Sequence, residues 1–159
     1  MPINTKKVHG RRNVRYESLD EFLNDAKRLA QSEVRTLGNW SQGQIYEHLA
    51  RSLNSSIDGM GFSLAAPLRW MLTIFMKRKF LKKEIPAGFK STDKFIPEKT
   101  SVEAGLASLE NAIVRQQQET KRVPHPAFGN IGLEGWNDFH LRHAEMHMSF
   151  LVNGDQTEN

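Results

Sequence analysis

Phe139-His140-Leu141-Arg142-His143-Ala144-Glu145-Met146-His147-Met148 is the stretch on which the fold of this chain turns. Histidines at 140, 143 and 147 stand at i, i+3 and i+7, which places them along one stripe of a single helix. The same stripe takes in Trp136, Phe139, Met146 and Phe150, so it reads as the inward side of a helix from Leu133 to Val152, stopped at Asn153-Gly154. A core helix usually fills such positions with Leu or Ile, because each polar group buried without a partner costs about 1–3 kcal/mol. Something must satisfy these imidazoles. His143 and His147, one turn apart, can aim ring nitrogens at one centre. His48 is the natural third ligand for a divalent metal ion, since it shares the inward stripe of an earlier helix with Ile45, Leu49, Ser52 and Ile57. Three neutral imidazoles leave a coordination position open for water, the arrangement of catalytic rather than structural zinc. Spacing alone leaves a second reading open, in which these histidines cap helices, pair with carboxylates or lie at the edge of the core. His140 stands as a substitute ligand or a supporting partner. His9, in a polar arm, and His125, between two prolines, read as surface residues.

Working outward, Ser18 or Asp20 starts a helix through Leu19, Phe22, Leu23, Ala26, Leu29 and Ala30, ended by Gly38. Ser41 followed by Gln44 is a capping box that opens a helix running to about Asp58, with Trp40 as a staple just outside it. Residues 59–67 form a connection, and Leu68 to Lys83 has helical composition around the apolar run Trp70 to Met76. That run is interrupted by Arg69 and closed by Lys77, well short of the roughly 18–20 residues a membrane span needs. A helix or loop covering the bundle is expected there, with a basic amphipathic helix lying on a membrane surface as the alternative. Pro86, Gly88 and Pro97 make residues 84–99 an ordered loop. Thr100 with Glu103 gives a second capping box, opening a helix through Val102, Leu106, Leu109 and Ile113 to about Glu119. No alternating strand pattern occurs. The expected fold is all-α: an up-down-down-up four-helix bundle with an extra helix or loop segment between its second and third helices.

The chain has 159 residues, of which 38% are hydrophobic and 25% charged, within the range of one folded domain. We expect a single domain over 1–159, with 1–17 as an N-terminal arm and 154–159 as a frayed tail. Cysteine is absent, so disulfides and thiolate metal sites are excluded and histidine and carboxylate are the strong ligands left. No apolar stretch of a signal peptide follows Lys7, which makes a cytoplasmic location the expectation. The net charge is +4, with cations grouped at Lys6 to Arg15 and at Lys77 to Lys83. No helix-turn-helix, zinc-finger or stacked-aromatic signature accompanies them, so no nucleic-acid partner is expected. Apolar residues outside the predicted core, Trp70, Leu72, Phe75 and Phe80, suggest a homodimer.

Asn39-Trp40-Ser41-Gln42-Gly43-Gln44-Ile45-Tyr46-Glu47-His48-Leu49-Ala50, Pro86-Ala87-Gly88-Phe89-Lys90, His125-Pro126-Ala127-Phe128-Gly129 and Trp136 through Phe150 together resemble the DinB/YfiT-like superfamily of metal-binding four-helix bundles, in an uncharacterised branch. The resemblance covers most of the chain from Asn39 onward. It implies that His48 and the pair His143 and His147 bind a divalent ion, nickel or zinc. Some members of that superfamily are S-transferases that use low-molecular-weight thiols, and others were proposed as hydrolases.

Two functions follow as expectations. The first is a metal-dependent enzyme acting on a small-molecule substrate, a thiol-dependent S-transferase or a hydrolase, in which a segment from Phe62 to Phe95 shapes an apolar pocket. A hydrolase needs a general base, and Glu47, Asp138 and Glu145 are the nearest carboxylates in sequence. Their helical phase is poor: Glu47 and Glu145 point about 100 degrees or more from the histidine stripe and read as exposed, and Arg142 shares that phase, with a place at the rim facing an anionic substrate as its alternative. The second is a non-catalytic binding or stress-associated module whose basic segments near Arg11 and Lys79 contact an anionic partner.

Overall fold

The structure, a computed structural model, describes residues 2–88 and 95–154. Phe89 and Lys90 of the loop motif and the tail residues Asp155 to Asn159 lie outside the described residues. The protein is mostly helical. A 3-10 turn at Thr5–Lys7 precedes α1 (Leu19–Ala30), α2 (Gln42–Asp58), α3 (Ala66–Phe75), α4 (Lys77–Lys82), α5 (Val102–Gln118) and α6 (Gly132–Met148). Two three-residue strands, β1 (Val34–Thr36) and β2 (Leu151–Asn153), complete the described elements.

Local signals set the helix starts. Ser18 caps α1 by accepting a hydrogen bond from the Glu21 amide. The Ser41–Gln44 capping box is present at α2, and the Gln44 side chain also donates to the Pro97 carbonyl at 3.0 Å. Ser101, one residue later than the expected Thr100, caps α5 through the Ala104 amide. The Thr100 hydroxyl instead donates to the Glu98 carbonyl at 2.9 Å.

α1, α2, α5 and α6 pack together, with α2 against α5 as the most extensive pairing. Their shared core includes Phe22, Leu29, Tyr46, Leu49, Leu53, Leu109, Ile113, Leu141 and Met148. At one point α2 and α5 meet backbone to backbone. A methyl group on Gly43 would collide with the carbonyl oxygens of Thr100 and Ser101, and one on Gly105 with that of Gly43.

Several boundaries differ from those the sequence predicts. α1 stops at Ala30 rather than near Gly38, because residues 34–36 pair antiparallel with 151–153, Val34 opposite Asn153 and Thr36 opposite Leu151. α6 correspondingly ends at Met148 instead of Val152. Strands of three residues are too short to show an alternating pattern. Their effect is nonetheless large: together with the Leu37 N–H to Phe150 carbonyl bond at 2.9 Å, they tie the end of α6 to the chain leading into α2. The helix expected over Leu68 to Lys83 is divided at Met76, whose φ of −118° departs from helical geometry. Only its second half covers the protein. α4 packs on α6 and buries Leu81, whereas α3 buries none of its residues.

Candidate metal centre

The face of α6 that enters the hydrophobic core is Leu141, Ala144 and Met148. The stripe expected there, His140, His143 and His147, lies one residue round, about 100 degrees away. His143 and His147 are therefore only partly buried, at the edge of the core rather than in it. His48, on α2, is buried. The strand pair that ties α6 to the approach to α2 brings these rings together. The Nε2 atoms of His48 and His143 are 3.3 Å apart, those of His143 and His147 are 3.1 Å apart, and one ligand atom from each of the three residues lies within 4.8 Å of the others. These three histidines are close enough to hold a divalent ion.

Protons decide what that closeness means. His48 Nδ1 lies 2.7 Å from the backbone oxygen of Phe95, which can only accept, so Nδ1 carries the proton and Nε2 presents a lone pair to its neighbours. His143 Nδ1 sits 3.2 Å from the Ser52 hydroxyl. If His143 carried its proton on Nε2, a single N–H would have to point at His48 and His147 at once. Every neutral arrangement thus leaves one short N···N approach poorly bonded, and a cation among the three nitrogens satisfies all of them. Metal–imidazole bonds of about 2.0–2.1 Å space tetrahedral ligand atoms about 3.3–3.4 Å apart, close to the His48–His143 and His143–His147 separations.

The electrostatics agree. Burial pushes the His143 and His147 rings well below their usual pKa, and the neighbouring imidazoles lower them further. Burial also lowers His48, opposed by its bond to the Phe95 carbonyl. All three are neutral at pH 7, the form that binds metal. Aromatic rings wall the site: Trp40 stacks on His147 with centroids 5.4 Å apart and touches His48, while Phe139 stacks on His143 at 5.5 Å. A cavity of about 350 Å³ opens beside Trp40 and His147. Its outer wall is the N-terminal arm, Ile3 to Lys6, together with Ala87 and Gly88, the part of the Phe62 to Phe95 segment that lines it. The arm is held by paired bonds between the Ile3 backbone and the Asn39 side chain, at 2.6 and 2.9 Å.

The other residues singled out by sequence fall elsewhere. His140 is not in the cluster. It is buried against Trp136, and its Nε2 has no partner. His125, expected on the surface, is 6% exposed and closes a tight turn by accepting the Ala127 and Phe128 amides on Nδ1. His9 is exposed, as expected. Glu145 and Arg142, expected outside, are both buried and paired with each other, because their side of α6 faces the arm around Tyr16 rather than solvent. Glu47 pairs with Arg51, and Asp138 with Lys82. Ser52 and Phe95 escaped notice as histidine partners. Ser52 did share the inward stripe with His48, but a backbone oxygen carries no sequence signal.

The fold and site define a mostly helical protein with a three-histidine cluster suited to a divalent ion. The chain belongs to a family described as a protein of unknown function (DUF1569), whose model matches residues 8–154. No curated protein and no solved structure is detectably similar to it.

Proposed function

We propose that the protein is a metal-dependent enzyme that holds zinc or nickel through His48, His143 and His147 and transfers a small thiol to a partly apolar substrate. The carrying observation is the convergence of three Nε2 atoms from two helices, with the Phe95 carbonyl fixing the tautomer of His48. An ion held there lowers the pKa of a thiol or water that it binds, supplying a nucleophile at neutral pH. The chain's own residues do the rest. Phe95 and Ser52 orient two rings, Trp40 and Phe139 exclude water from one side, and the cavity beside His147 receives substrate. A thiol is favoured over water because the three carboxylates a hydrolase would draw on are committed elsewhere: Glu145 to Arg142, Glu47 to Arg51 and Asp138 to Lys82. The packing of α1, α2, α5 and α6 supports reading the chain as one four-helix bundle of the DinB/YfiT-like kind.

Metal analysis by mass spectrometry of protein purified without an affinity tag tests the site. One ion per chain is expected in the wild type and none in His143→Ala; metal-free wild type from metal-replete cells would end the proposal. Cobalt-loaded protein separates the reactions. Adding glutathione or bacillithiol should produce a sulfur-to-cobalt charge-transfer band, and its absence would leave the hydrolase reading.

A further inference from the structure

From Gly59 to Lys83 the chain carries six cations, Arg69, Lys77, Arg78, Lys79, Lys82 and Lys83, and no Asp or Glu. The whole chain has a net charge of +4, so this one segment holds more than the entire positive excess. Lys82 pairs with Asp138 and Glu134. Lys77, Arg78, Lys79 and Lys83 form no ion pair among the described residues.

Among the described residues, the same segment displays the largest exposed apolar side chains. Trp70 is 70% exposed and Phe75 76%, with Met71 and Ile74 beside them. Positions 70, 71, 74 and 75 share one face of α3, so the apolar side of this helix is turned to solvent. A surface helix ordinarily does the reverse, and a contiguous exposed patch of this kind marks a contact. α4 continues it across Met76 with its run of cations.

We infer that α3 and α4 form a docking surface for an anionic lipid bilayer. Trp70, Met71, Ile74 and Phe75 enter the boundary between headgroups and acyl chains, while Lys77, Arg78, Lys79 and Lys83 meet the headgroup charge. Charge selects this occupant. A two-fold contact with a second copy would set six cations against six. Nucleic acid would meet the cations, yet Met71 and Ile74 would gain nothing from phosphate or base. The mode is peripheral: among the described residues no helix is long and apolar enough to cross a membrane.

The test is cosedimentation of the full chain with vesicles of phosphatidylcholine, with and without phosphatidylserine, at low and physiological salt. Binding to the phosphatidylserine vesicles is expected, weakened by salt, with Trp70 emission quenched by brominated acyl chains. Neutralising three cations in K77Q/R78Q/K79Q should weaken binding about a hundredfold, roughly fivefold for each. W70S/F75S should bind neither vesicle while keeping its far-ultraviolet circular dichroism, since neither residue is buried. Three results would overturn the inference: no binding to phosphatidylserine vesicles at low salt; W70S/F75S binding vesicles or duplex nucleic acid as tightly as wild type; or a wild-type dimer in light scattering that W70S/F75S makes monomeric.

Discussion

Arg142 Nη2 and Glu145 Oε1 meet at 2.6 Å inside the protein, with side chains only 5% and 8% exposed. The pair grips both sides of one residue in the arm: Glu145 accepts the Tyr16 N–H at 2.8 Å and Arg142 donates to the Tyr16 carbonyl at 2.6 Å. Removing one partner strands a buried charge, which costs about 3–5 kcal/mol. Glu145→Ala should therefore lower Tm by on the order of 10 °C in thermal melts. The double replacement R142M/E145L should lie closer to wild type than either single loss.

Asp25 anchors the other side of the arm. Burial alone would raise its pKa, but hydrogen bonds from Arg12, Tyr16 and Arg28 outweigh that and bring it down to about 2. A carboxylate depressed in the folded state stabilises above its unfolded pKa, near 3.8, and that contribution is lost as pH falls towards 2. Urea unfolding should show a loss on the order of 2 kcal/mol across this window, absent in Asp25→Asn.

His140 makes acid instability begin at higher pH. Burial above all, and then the charges of Arg122 and His125, lower its pKa to about 3. The folded ring stays neutral while the unfolded ring takes a proton below about 6.5, so stability falls as pH drops from there towards 3, by up to about 1.4 kcal/mol per pH unit. His140→Phe should flatten that slope between pH 6 and 4 and still bind one metal ion per chain. Loss of metal in this variant would make His140 a ligand.

Ser52→Ala removes the group beside His143 Nδ1 without touching a ligand. Metal affinity measured by competition with a chelator should fall about tenfold, the lower range for such supporting groups, with stoichiometry unchanged.

How much of this was legible beforehand depends on how local the cause was. The Ser41 box, the Ser18 cap and the inward positions of Leu49, Leu109 and Ile113 follow from spacing over a few residues, and the sequence shows them. The closeness of His48, His143 and His147 is anticipated by helical phase and the family resemblance together, since spacing alone leaves a second reading open. What escaped was non-local. The rotation of α6 that puts Leu141 and Ala144 inward follows from packing against α1 and α2, not from the pattern on α6 itself. Glu145 is buried because Tyr16, 129 residues earlier, lies over it. His125 is enclosed by Phe128, Trp136 and Phe139, the last two 11 and 14 residues further along the chain.

The meeting of Gly43 and Gly105 gives α2 a hard stop. His48 stands five residues along, about 7.5 Å of helix axis, so its depth is gauged by main-chain atoms that cannot yield as side chains do. Core positions can be repacked with that ruler unmoved. An alanine at Gly43 would lift α2 off α5 and carry one imidazole away from the other two.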